Sequence, residues 1–228
     1  MIVAIIPARA GSKGFKNKNI AEVDGVSLLA YAVRSSKQSQ LIDRTVVSTD
    51  SKVYEEIATS EGATSLGLRE EVLAGDNSKT VDVVLKLLQH KSLQSVTHVI
   101  LLQPTSPIRS GEMIDECISL AQKNRESVVS IAKIDDPHPA KLKRIVNGSI
   151  ESYLPGAESE INRQELPDAY ALTGAIYIST VENLISNKSF FSSNTQPYIS
   201  RSFANIDSQD DFEYLEYLVE KGKVSLPK

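Results

Sequence analysis

Short runs of β-branched and other apolar residues alternate along this chain with longer amphipathic segments. Ile2–Ile6, Arg44–Ser48, His98–Leu102, Val128–Ala132 and Ala175–Ser179 have the length and composition of strands. Ser27–Lys37, Lys52–Ser60, Thr80–His90, Glu112–Lys123 and Gln209–Lys221 have those of helices, the last with Ser208 or Asp207 as its N-cap. Strands that are apolar throughout and separated by helices predict a mainly parallel sheet covered on both faces, an α/β, three-layer, Rossmann-like architecture. The pattern weakens between Asp135 and Asp168. That stretch contains Asp-Asp-Pro-His-Pro, the hairpin signal Asn147-Gly148 and Leu154-Pro155-Gly156. It predicts a β-rich excursion (135–168) from one domain spanning 1–228.

Ligands of such sheets bind beyond the carboxyl ends of the strands. Three loops there carry polar chemistry: Pro7–Asn19, Thr49–Ser51 and Gln103–Ser110. The strand assignments alone predict that they meet in one site.

Composition narrows the classes. At 228 residues, 41% hydrophobic and 24% charged, the chain can bury a core that needs no disulfide or metal. Its one cysteine, Cys117, lies in a predicted helix and reads as a small buried apolar residue. A net charge of −4 argues against a nucleic-acid partner but not against an anionic small molecule, which depends on local charge. No apolar run reaches the length of a membrane helix, and the run at Met1–Ile6 is too short for a signal segment. A cytoplasmic protein without a membrane partner is expected.

The strongest local feature follows the first strand: Pro7-Ala8-Arg9-Ala10-Gly11-Ser12-Lys13-Gly14-Phe15-Lys16-Asn17-Lys18-Asn19. Two glycines permit close approach of backbone N–H groups to anionic oxygens, and Arg9, Lys13 and Lys18, with Lys16 in addition, supply cations. This is the chemistry of a triphosphate cradle. The spacing of Gly11 and Gly14 excludes a Walker A loop, and the dinucleotide fingerprint is also absent.

With its strand ending Ile-Pro-Ala, this loop resembles that of the acylneuraminate cytidylyltransferases, the CMP-sialic acid synthetases. The resemblance continues through Arg69, Leu73-Ala74, Asp76 and Thr80, with Glu70 where most members have Pro. It extends to Leu102-Gln103-Pro104-Thr105-Ser106-Pro107-Ile108-Arg109, to Arg163 through Leu166-Pro167 and Tyr170, and to Gly174-Ala175-Ile176-Tyr177-Ile178. It implies a nucleotidyltransferase fold and transfer of CMP from CTP to an acidic nine-carbon sugar, with loss of pyrophosphate. It also implies a homodimer in which the 135–168 excursion crosses to the partner.

The resemblance further assigns roles. Arg9 and Lys13 stabilise phosphate charge, and Lys18 assists. Ala8, Ala10, Gly11, Ser12, Asn19, Arg69 and Thr80 complete the nucleotide site. Gln103, Arg163, Tyr170, Phe190 and Phe191 meet the sugar, with Arg163 supplied across the dimer and the Phe pair beside an acyl group. Thr173 stands where many members have Asn. Near the C-terminus the family's Asp-Ile-Asp, which holds Mg²⁺ against the triphosphate, is here Asn205-Ile206-Asp207. Residues i and i+2 of an extended segment share a face, so both can address one ion. Asn205 contributes no charge, so Asp207 and the phosphates are expected to carry the metal; help from Asp210 or Asp211, which read as first-turn acids of the last helix, and a reduced activity are the alternatives. No dedicated general base stands out; His138 is the one histidine in a suggestive context. A cytidylyltransferase for the eight-carbon sugar Kdo and a nucleotide-binding module without turnover are the alternatives.

Overall fold

A computed structural model describes residues 1–11, 14–75, 78–158 and 160–228, with the backbone but not the side chain of Arg163. The central sheet has seven strands. β1 (Ile2–Pro7) lies between β4 (Arg44–Ser48) and β6 (His98–Leu101), parallel to both, with Ile6 opposite Val47 and Ile5 opposite Leu101. β5 (Thr64–Ser65) extends the sheet beyond β4. On the other side β10 (Ala169–Thr180) runs antiparallel between β6 and β7 (Val128–Ile134), and β11 (Gln196–Ser200) closes that edge parallel to β7. Two small hairpins, β2–β3 (Glu22–Val23, Val26–Ser27) and β8–β9 (Lys143–Val146, Ser149–Ser152), stand outside the sheet.

β1 explains the layering. Ile2, Ala4 and Ile6 face a core shared with α1 (Leu28–Gln38), α2 (Lys52–Ser60) and α4 (Gly111–Asn124). Val3 and Ile5 face α3 (Thr80–Leu88), α5 (Val181–Asn187) and Phe190 on the other side. A strand buried on both faces has no polar alternation, as the sequence reads. α6 (Gln209–Glu220) packs Phe212, Leu215 and Leu218 against Leu28, Tyr31 and Ile108. Its N-cap is Ser208, in a capping box with Asp211; the hydrogen bond from Ser208 holds the Asp211 carboxyl below its ordinary range.

The expected strands and helices are present, and four features add to them. β10 begins six residues before the predicted Ala175 and is the sheet's one antiparallel member. β5, β11 and α5 carry too little pattern to be read: two residues, an edge strand containing Pro197, and seven residues. In the excursion, Asn147 (φ 51°) and Gly148 (φ 80°) form the two-residue turn their sequence predicts. The resulting arm leaves Ile145 and Ile150, a cross-strand pair, 79% and 74% exposed. Among the described residues no helix is long and apolar enough to cross a membrane.

Candidate active site

A cavity of about 290 Å³ opens at the carboxyl edge of β1 and β6. Its walls include Arg9, Lys18 and Asn19 from the loop after β1, Arg69 and Thr80 from the segment leading into α3, Gln103 after β6, and Asn205 with Asp207 before α6. Eight sequence-predicted positions thus converge. Ser12, Lys13 and Asp76 lie outside the described residues, as does the Arg163 side chain.

The loop after β4 does not line the cavity; it holds the walls. The amide of Ala8 donates to the carbonyl of Ser48 (2.9 Å), and that of Ala10 to Asp50 Oδ1 (2.8 Å). These two amides are therefore engaged within the protein, while Arg9 between them faces the cavity and donates to the carbonyl of Ala74. Arg69 is fastened by the same loop: its Nε donates to Ser48 Oγ at 3.1 Å, its Nη2 to the Ser48 carbonyl at 2.5 Å, and its amide to the Thr49 carbonyl at 2.7 Å. Burial, more than any other cause, holds this guanidinium below its ordinary pKa; Asp50 opposes the shift and Arg9 adds to it. Asn19, buried, donates to the carbonyl of Arg9 at 3.0 Å. Glu70 forms a surface ion pair with Lys86.

Gln103 is placed by a second device. β10 bulges between Leu172 and Tyr177, and Gly174 takes φ 75° there. A Cβ on Gly174 would collide with Ser106 Oγ and lie 2.9 Å from Gln103 Oε1, so the bulge presses directly on the Gln103–Ser106 turn. Arg109 fastens that turn from behind. It is 2% exposed, and its Nη1 donates to the carbonyls of Gln103, Ser106 and Ala175 while its Nε donates to Ser35 Oγ. No carboxylate offsets its burial, which pushes its pKa down to about 9. Asp50 and Arg109 lie in segments the sequence picked out, but neither was assigned a role there, because Ala10, Ala175 and Ser35, among their partners, are distant along the chain.

Asp207 also lines the cavity. Its Oδ1 accepts from Lys18 Nζ at 2.7 Å and its Oδ2 from Asn205 Nδ2 at 3.1 Å. Asp211 is occupied as the α6 cap, accepting from the amides of Asp207 and Ser208. Among the described residues no group of three or more His, Cys, Asp or Glu side chains could hold a metal. The donors at the cavity are one carboxylate and one amide. They fit a magnesium ion whose remaining ligands are phosphate and water oxygens, and not an all-protein cage.

Five residues singled out in the sequence lie elsewhere. Phe190 is buried in the core beside α3 and α5, edge-on to Tyr177, and Phe191 packs on the same ring while half exposed. Tyr170 stands exposed on β10 opposite Lys133. His138 is structural: its Nδ1 accepts from the Ala140 amide, and its Nε2 is 2.9 Å from the Pro167 carbonyl. Thr173 points away from the cavity into a buried hydrogen bond with Ser130 (2.6 Å).

The residue pattern of the cytidylyltransferase family matches positions 3–223. The chain is 36% identical over 231 residues to a CMP-N,N'-diacetyllegionaminic acid synthase of Legionella pneumophila, covering 99% of each. It is 35% identical to an N-acylneuraminate cytidylyltransferase of Escherichia coli, over 93% of this chain but only 50% of that longer protein. Among solved structures, a CMP:2-keto-3-deoxy-manno-octonic acid synthetase complexed with CTP superposes with a TM-score of 0.73 over 97% of this chain and 99% of that one. At 15% identity, that likeness concerns the fold.

Proposed function

The chain belongs to the cytidylyltransferase family, and we propose that it joins CMP from CTP to the anomeric hydroxyl of a nonulosonic acid of the sialic, legionaminic or pseudaminic type. The observation that carries this reading is the convergence of Arg9, Lys18 and Arg69 with Gln103 and Asp207 on one cavity. Three cations at one cavity suit a triphosphate. An amide fixed by Arg109 and Gly174 suits the hydroxyls or carboxylate of an acidic sugar.

In this reading Arg9 and Lys18 bind the phosphates, with Lys13 joining them by resemblance. The anomeric oxygen forms a bond to the α-phosphorus as the bond from that phosphorus to the β-phosphate bridging oxygen breaks. Pyrophosphate leaves, and the hydroxyl proton passes to solvent. The residues contribute positioning and charge, which dominate catalysis of this type of transfer. Asp207, oriented by Asn205, would hold Mg²⁺ together with phosphate oxygens. When bound, such an ion neutralises triphosphate charge and lowers the pKa of a nearby hydroxyl.

The proposal includes a cytoplasmic homodimer. The exposed apolar arm, with Leu142, Ile145, Ile150, Tyr153 and Leu154, supports it, because an uncovered patch of this kind marks an interaction surface. Through that interface Arg163 and Tyr170 would reach the partner's cavity.

The test is pyrophosphate release from CTP and Mg²⁺ against a panel of nonulosonic acids with Kdo included. Turnover with a nonulosonate is expected. Release with Kdo alone would move the protein to the eight-carbon branch, and CTP binding without any turnover would make it a nucleotide-binding module.

A further inference from the structure

We propose that Asn205 is a positioning residue for Asp207, and that it sets the site to take a divalent cation together with the triphosphate rather than before it. The inference rests on the reading of the cavity as a triphosphate site.

The segment before α6 is rigidly placed. Ile206 is fully buried, and its amide donates to the Thr105 carbonyl at 2.8 Å, so the alternate positions 205 and 207 both face outward. Ser106, 1% exposed and confined by Gly174, donates through Oγ to Asn205 Oδ1 at 3.1 Å. Asn205 Nδ2 donates in turn to Asp207 Oδ2 at 3.1 Å, and Lys18 Nζ donates to the other carboxylate oxygen at 2.7 Å. The result is a directed chain from a buried hydroxyl, through an amide, to the carboxylate. Each group uses the polarity it has: the amide oxygen accepts and the amide nitrogen donates.

An aspartate at 205 could accept from Ser106 but would have nothing to donate. Two carboxylates would then face each other at hydrogen-bond distance, and a cation between them would relieve the repulsion. With asparagine, the pair carries one negative charge, already matched by Lys18. Its amide oxygen is already engaged by Ser106. A hard divalent cation gains little from such a pair alone, because affinity follows the charge and number of oxygen ligands. A triphosphate supplies the missing charge and oxygens, and it also offers Lys18 an alternative anion.

Mn²⁺ binding to the intact protein tests this without turnover. Paramagnetic resonance would measure Mn²⁺ affinity of the wild type, Asn205→Asp and Asn205→Ala without nucleotide, and calorimetry the gain in CTP affinity on adding Mn²⁺. Asn205→Asp is expected to bind Mn²⁺ alone about tenfold or more tighter than wild type. Asn205→Ala is expected to lose about tenfold of the Mn²⁺-dependent gain in CTP affinity, through misplacement of Asp207. Thermal melts followed by circular dichroism confirm that each variant is folded. Equal Mn²⁺ affinity of the wild type and Asn205→Asp, or an undiminished gain in Asn205→Ala, would overturn the proposal. Failure of CTP to bind at all would instead reject the nucleotide reading, and the comparison with Mn²⁺ alone would still decide the role of Asn205.

Discussion

Gly14 and Asp207 lie in van der Waals contact through their backbones, so closely that a Cβ on Gly14 would stand 2.8 Å from the Asp207 carbonyl oxygen. The glycine of the loop after β1 is therefore required by the carboxylate segment at the far end of the chain. No side-chain rotation can relieve the clash in Gly14→Ala; the loop or Asp207 must move. A displacement of this order at a reacting centre costs on the order of 10²-fold in rate. Steady-state kinetics should show kcat/KM for CTP reduced by about that factor, with the melting temperature nearly unchanged because Gly14 is exposed.

Asp50 acts on the same loop through the Ala10 amide. Asn at this position keeps an oxygen to accept that hydrogen bond, whereas Ala leaves the amide unpartnered, at a cost of about 1–3 kcal/mol if it stays dry. Asp50→Asn is expected to retain KM for CTP within about threefold, and Asp50→Ala to raise it about tenfold or more. A KM series on the two variants checks the distinction.

Gly174 combines a left-handed backbone with a collision partner. Gly174→Ala is expected to lose about 1–3 kcal/mol of stability from backbone strain. It should also raise KM for the sugar, because Ser106 and Gln103 must give way. Urea denaturation reads the first effect and sugar titration at saturating CTP the second.

Glu61 is held below its ordinary pKa chiefly by a two-pronged hydrogen bond from Arg34, both contacts at 2.8 Å. A lowered folded-state pKa means that this stabilisation is fully present above the ordinary value of 4.5 and fades as pH falls through the folded value. Because the pair is partly solvent-screened, Glu61→Gln should cost only about 0.5–1 kcal/mol at pH 7. Denaturation at pH 7 and pH 3 should show the difference between the proteins shrinking at the lower pH.

What could be read in advance was what local chemistry determines. β1 is apolar because both faces are buried, Asn147-Gly148 turns because it tolerates positive φ, and Ser208 caps α6 because its hydroxyl reaches an amide three residues on. The direction of β10 was not readable, since strand polarity depends on the path of the connecting chain and not on periodicity. The roles of Asp50 and Arg109 were not readable because Ala10 and Ala175, among their partners, lie 40 and 66 positions away. Phe190 shows the converse: an aromatic pair has the same composition whether it lines a pocket or fills a core. Arg9, Lys18, Gln103 and Asp207 were visible as chemistry, but the hydrogen bonds that orient them were not.

Isotopic labelling of the sugar decides which oxygen attacks the α-phosphorus. A nonulosonic acid carrying ¹⁸O at its anomeric hydroxyl would be incubated with CTP, Mg²⁺ and the protein, and the products examined by mass spectrometry. Attack by the sugar gives a CMP-sugar that retains the label in its bridging oxygen, together with equimolar unlabelled pyrophosphate. Label appearing in phosphate, or CMP released without attached sugar, would contradict attack by the sugar on the α-phosphorus.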